Sequence, residues 1–65
     1  MDQAAALEFL ARHFGVEQDD FEYEWDTSDG HTFYQHSTSA RHTVHDPVGP
    51  EDDPVVVTTS AGKTP

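Results

Sequence analysis

The sequence predicts an α+β fold in which one N-terminal helix packs on a small antiparallel sheet of three strands, or of four if a C-terminal strand joins it. Three observations support this fold class. Apolar side chains recur at helical spacing in residues 2–14, aromatic and acidic side chains alternate in residues 21–26, and all seven aromatic residues fall between positions 9 and 34. A chain of 65 residues has room for one small domain with a thin core.

The helix predicted over residues 2–14 has recognisable ends. Asp2 is a good N-cap, because its carboxylate can accept a hydrogen bond from a free backbone N–H of the first turn. Gly15 is expected to end the helix in the left-handed conformation, which glycine adopts without steric cost. The side chains expected to face the sheet are Leu7, Leu10, Ala11 and Phe14.

The alternating segment is the first predicted strand, and residues 31–38 form the second. A three-residue loop from Ser28 to Gly30 is expected between them, with Gly30 in the left-handed position of a type I turn followed by a bulge. Loop length fixes which residues face one another across a hairpin. This loop sets Trp25 opposite Phe33, and it gathers the aromatic side chains on the buried face of the sheet.

A third strand over residues 41–46, after a tight turn at Ser39–Ala40, completes a predicted helix-and-meander domain over residues 1–46. The segment 47–65 contains all four prolines and a run of high β propensity at residues 55–59. We interpret this run as an edge strand of the same sheet in preference to a strand that pairs with another chain. The expected core comprises Leu7, Leu10, Phe14, Phe21, Tyr23, Trp25, Phe33 and Val44.

The composition limits the kinds of partner. Thirteen acidic residues against three basic ones give a formal net charge of −10. This charge disfavours direct binding to nucleic acid, because affinity for phosphates comes mostly from Lys and Arg. The chain has no cysteine, so it has no disulfide and no thiolate metal site. No apolar run is long enough to span a bilayer and no signal peptide is recognisable, so we expect a cytoplasmic protein without a membrane partner.

The strongest functional signal is acidic: seven carboxylates lie between positions 17 and 29 with no basic residue among them. On a strand, Glu22, Glu24 and Asp26 would point the same way and form a straight row of negative charge. Such a row resembles, electrostatically, the phosphates that a basic groove binds. The competing interpretation is a solvated face without a partner. The candidate partner-binding residues are Asp19, Asp20, Glu22, Glu24, Asp26, Asp29 and Tyr34.

Other kinds of site have little support in the sequence. The five histidines do not form a three-ligand cluster at helical or loop spacing. The serines are not part of a nucleophile-turn motif, and so thin a core leaves little material for a concave pocket. We therefore expect no metal, no other cofactor and no enzymatic activity.

The function expected from the sequence is that of a small acidic protein-binding module. Its foremost form is a nucleic-acid-mimicking inhibitor that occupies a basic groove of a DNA- or RNA-binding protein. In size and charge, though not in any motif, the chain resembles small phage-encoded anti-restriction and anti-CRISPR proteins. The alternative is a structural or regulatory domain whose acidity reflects a salt-adapted or GC-rich genome. The sequence is compatible with a homodimer in this case.

Overall fold

A computed structural model describes residues 1–60 of the chain. The C-terminal end of the predicted segment 47–65 therefore lies outside the described residues. The elements form one helix and one four-stranded sheet, which confirms the α+β class. In chain order they are helix α1 (Gln3–Phe14), a 3-10 turn (Gln18–Asp20), and strands β1 (Phe21–Thr27), β2 (Gly30–Gln35), β3 (Ala40–His45) and β4 (Val55–Ser60).

Helix α1 begins and ends where the sequence predicts. The Asp2 carboxylate accepts a hydrogen bond of 2.8 Å from the backbone N–H of Ala5, and Gly15 has a φ of 70°. The buried stripe, however, consists of Ala6, Leu10 and Ala11. The expectation that Phe14 belongs to the core is wrong, because this side chain lies at the end of the helix and remains 38% exposed. Leu7 is only partly buried and packs against the core cluster from outside.

The sheet is antiparallel throughout and has the order β1-β2-β3-β4. Strand β4 pairs with β3, which confirms the interpretation of residues 55–59 as an edge strand of the same sheet. Phe21, Phe33 and Val44 meet α1 and form the core with its buried stripe. We call the side of the sheet that packs on α1 the core face. Side chains alternate along a strand, so on each strand the residues next to these core positions point to the opposite side of the sheet, which we call the open face.

The β1–β2 hairpin differs from the predicted one. Thr27 pairs with Gly30, so the loop has two residues, Ser28 and Asp29. Gly30 does not have a positive φ. Its lack of a side chain allows β3 to approach it closely. A Cβ on Gly30 would lie 2.0 Å from the carbonyl oxygen of Val44 on β3, a separation that no unstrained structure allows. Glycine is therefore required by close approach of two strands and not by the turn.

A β-bulge interrupts β1 at Glu24. The register shifts between Tyr23, which pairs with Phe33, and Trp25, which pairs with Thr32. Because a bulge adds one residue to one strand, it reverses the faces of all residues beyond it. Trp25 consequently points to the open face and is 48% exposed, so the predictions that it faces Phe33 and belongs to the core are wrong. Tyr23 stays on the core face but is 38% exposed at the edge of the sheet.

Candidate protein-binding site

The open face carries an exposed tryptophan held by a basic partner. The guanidinium of Arg41 on β3 lies over the Trp25 ring, 5.3 Å from its centroid. The same guanidinium donates two hydrogen bonds to the Glu24 carboxylate, through Nε to Oε1 and through Nη2 to Oε2, the latter at 3.2 Å. A bidentate pair of this kind fixes the plane of the guanidinium, and the cation–π contact then fixes the ring. The bulge at Glu24 brings all three side chains together.

Beside Trp25 the open face is uncharged and rich in β-branched residues. Trp25 begins a cross-strand row that continues through Thr32 on β2 and Thr43 on β3 to Val57 on β4. Thr32 is fully buried, although it lies on the open face, and its hydroxyl forms a hydrogen bond of 2.8 Å with that of Thr43. This hydrogen-bonded pair lies between Trp25 and Val57 in the row. Val57 remains 47% exposed at the far end of the row.

The expected straight row of carboxylates does not form. Glu24 is bound by Arg41, and the bulge places Asp26 on the core face, where it pairs with His31 across the hairpin. Of the three, only Glu22 stays on the open face without an arginine partner, and its carboxylate lies 3.3 Å from the exposed ring of His36. The prediction of a row is wrong because strict alternation in a sequence does not reveal a bulge. The acids instead lie on both faces of the β1 edge.

Asp26 and Asp29 lie near the hairpin end of β1, each bound by a histidine. The His31 ring donates through Nε2 to the carbonyl oxygen of Met1 at 2.9 Å and through Nδ1 to the Asp26 carboxylate at 2.6 Å. Since both partners are acceptors, this geometry requires the protonated ring, and these two bonds raise the pKa of His31. The His31 bond lowers the pKa of Asp26. A hydrogen bond of 2.8 Å with His45 Nδ1 likewise lowers the pKa of Asp29.

Asp20 has a structural role at the other end of β1. Its carboxylate accepts hydrogen bonds from the Ser37 hydroxyl and from the Gln35 amide, and these bonds lower its pKa. The Gln35 oxygen in turn accepts a bond of 2.8 Å from His42 Nε2, and His42 Nδ1 accepts one of 2.7 Å from Thr58 on β4. Asp20 therefore anchors a polar network that crosses the core face.

Two remaining members of the predicted set lie apart from these pairs. Asp19 is exposed in the 3-10 turn before β1. Tyr34 is half-buried on the open face, opposite Glu22 on one side and Arg41 on the other, and its ring packs edge-on against His36. The structure thus places Glu22 and Arg41 on either side of Tyr34, with Glu24 bound to Arg41.

Sequence reasoning missed the two residues that organise this surface. Alternation predicts a core position for Trp25, together with Phe21 and Tyr23. The sequence predicts only that Arg41 begins the third strand, although it is one of two arginines in the chain. A signal was present in composition: a lone arginine that follows a dense acidic segment is expected to pair with one of its carboxylates. Which carboxylate it selects depends on the bulge.

Over residues 1–60 the chain is thus a one-helix, four-stranded α+β protein, and its helix covers only one face of the sheet. A search of protein-family models, of curated proteins and of solved structures finds no match for it. Among residues 1–60, no group of three or more His, Asp or Glu side chains is arranged to hold a metal ion. Within the same residues, no helix is both long and apolar enough to cross a bilayer.

Proposed function

We propose that this chain is a small acidic protein-binding domain that docks the β1 edge of its sheet on a basic surface of another protein. The observation that carries the proposal is the exposed Trp25 ring, fixed by Arg41 and bordered by acids. Binding energy in protein interfaces concentrates in aromatic and arginine anchors of this kind. A large ring that is already immobilised loses little conformational entropy when a partner covers it.

The acids around Trp25 supply the charge preference for the partner. Glu22, Asp26 and Asp29 are exposed on or beside β1, and Asp19 extends the acidic border towards the helix. With a formal net charge of −10, the whole chain attracts a basic partner and repels an acidic one. Such steering speeds association and weakens as the salt concentration rises.

Nucleic-acid mimicry is the most specific form of this proposal. It requires that a partner's Lys and Arg side chains meet exposed carboxylates that stand in for phosphates. The row that first suggested mimicry is absent, so its remaining support is the exposed acids and the net charge. Displacement of DNA or RNA from a captured partner would support mimicry, whereas a captured basic protein that keeps its nucleic acid would leave only the general binding function.

The proposal is tested with three tagged variants used to capture partners from a lysate of the native host. In Trp25→Ala the anchor is removed, and we expect a loss of about 2 kcal/mol, roughly 30-fold in affinity for a captured partner. The triple variant E22Q/D26N/D29N removes three exposed charges on or beside β1, and capture should weaken.

The matched control is the triple variant E8Q/D52N/D53N. It changes the net charge by the same amount, but its residues are exposed on α1 and before β4. Capture by this control should weaken less than capture by E22Q/D26N/D29N. Equal losses from the two triple variants, or unchanged capture by Trp25→Ala, would contradict the proposal, because binding would then follow bulk charge alone.

A further inference from the structure

The two edges of the sheet are protected to different degrees. Strand β1, at one edge, carries the bulge at Glu24 and exposed acids on both of its faces, and both features hinder pairing with another strand. Strand β4, at the other edge, pairs only with β3 within residues 1–60. None of its six residues is charged, it contains no proline, and its pairing with β3 has no bulge. A regular and uncharged edge of this kind is a template for another strand.

We propose that β4 pairs with β4 of a second copy of this chain, antiparallel and about a twofold axis that passes beside Val57. The result is a continuous eight-stranded sheet in the order β1-β2-β3-β4-β4-β3-β2-β1. In this register Val57 of one copy faces Val57 of the other. Val55 faces Thr59 on the open face, and Val56 faces Thr58 on the core face. Each of these pairs is β-branched, which is the composition that stabilises cross-strand contacts.

The β-branched run of β4 is complementary to a second copy of itself, and the charge distribution favours the antiparallel sense. A chain of net charge −10 repels its own copy unless the contact lies away from the acids. The acids nearest to β4 are Glu51, Asp52 and Asp53, which precede it. Antiparallel pairing puts the two acidic segments at opposite ends of the joined strands, about 27 Å apart. Parallel pairing would put them side by side.

This inference is independent of the proposed docking site. Strand β4 and Trp25 lie on opposite edges of the sheet, so the two contacts do not compete. In the dimer the two β1 strands would be about 34 Å apart, at seven strand spacings. A dimer would therefore present two acidic sites at its outer edges, and a partner with two basic patches would bind it with greater avidity.

The experiment measures the mass of the chain in solution by sedimentation equilibrium over a wide range of concentrations. The wild type should approach twice the mass of one chain. In Val57→Lys the two lysines would face each other across the twofold axis, and we expect a monomer; Val57→Glu should be monomeric for the same reason. An equimolar mixture of the two variants should recover the dimer, because lysine then faces glutamate.

Controls separate loss of pairing from loss of folding. Val57 is half exposed, so a charged side chain is tolerated there, and circular dichroism of both variants should match the wild type. Ala4→Lys adds the same charge on the exposed side of α1 and should remain dimeric. A wild type that is monomeric at every concentration, a Val57→Lys variant that is still dimeric, or a mixture that stays monomeric would each overturn the proposal.

Discussion

The register of the β1–β2 hairpin can be tested by a single methyl group at Gly30. In the three-residue loop that the sequence predicted, alanine at this position would suffer only from a left-handed φ, at a cost of about 1–2 kcal/mol. In the structure Gly30 pairs with Thr27 and closes a two-residue loop. There the added Cβ would lie 2.0 Å from the Val44 carbonyl oxygen and 3.0 Å from the Cα of His45.

The expected cost of Gly30→Ala follows from that overlap. Both contacts are with backbone atoms of β3, which cannot rotate away as a side chain would. The strands must separate locally and weaken their hydrogen bonds. We expect a loss of about 3 kcal/mol, at the upper end of overpacking effects. For a domain of this size the unfolding temperature would fall by roughly 12–24 °C.

The assay is urea or thermal unfolding of Gly30→Ala beside Gly15→Ala. Gly15 has a φ of 70° and nothing within 4 Å of an added Cβ, so this second variant reports the cost of a left-handed φ alone, about 1–2 kcal/mol. Gly30→Ala should be clearly less stable than Gly15→Ala. If the two variants unfolded alike, the close approach of Gly30 to β3 would be refuted, and with it the hairpin register.

Three further predictions concern the titratable and cationic side chains. Burial lowers the pKa of His42, so the stability that neutral His42 contributes is present above its unfolded pKa of about 6.5 and is lost as the pH falls below that value. The urea midpoint of the wild type should therefore drop on acidification to about pH 5.5. In His42→Gln the midpoint should depend less on pH. Hydrogen bonds to Met1 and Asp26 raise the pKa of His31, so its contribution is complete below about pH 6.5 and is lost as the pH rises through the raised value. The difference in urea midpoint between the wild type and His31→Gln should therefore be larger at about pH 6 than at about pH 9. Arg41→Met should release the Trp25 ring and increase quenching of its fluorescence by acrylamide, whereas Arg12→Met, on the exposed side of the helix, should leave quenching unchanged.

Local signals were sufficient to predict most of the elements. The helix ends depend on Asp2 and Gly15, whose effects act within one turn, and both were predicted correctly. The strands follow from β-prone runs bounded by turn residues. The addition of β4 followed from the same reasoning, because an uncharged β-prone run in a short chain pairs most readily with its own sheet.

The candidate site was less predictable, because it depends on contacts between residues that are distant in the sequence. Alternation alone put Trp25 in the core. The bulge that turns it outward places Glu24 against Arg41, which lies seventeen positions further along the chain. The fit of Gly30 against Val44 likewise involves a strand that the hairpin sequence does not specify. The pairing of Asp26 with His31 and of Asp29 with His45 also depends on the strand register, which the sequence does not specify.

The bulge at Glu24 turns Trp25 to the open face beside Arg41, and nuclear Overhauser effects measure this placement of the ring. Cross-peaks should connect the Trp25 indole protons with the side-chain protons of Arg41 and of Thr32. Strong cross-peaks between the indole and the Phe33 ring, without those to Arg41, would place Trp25 in the core and contradict the account.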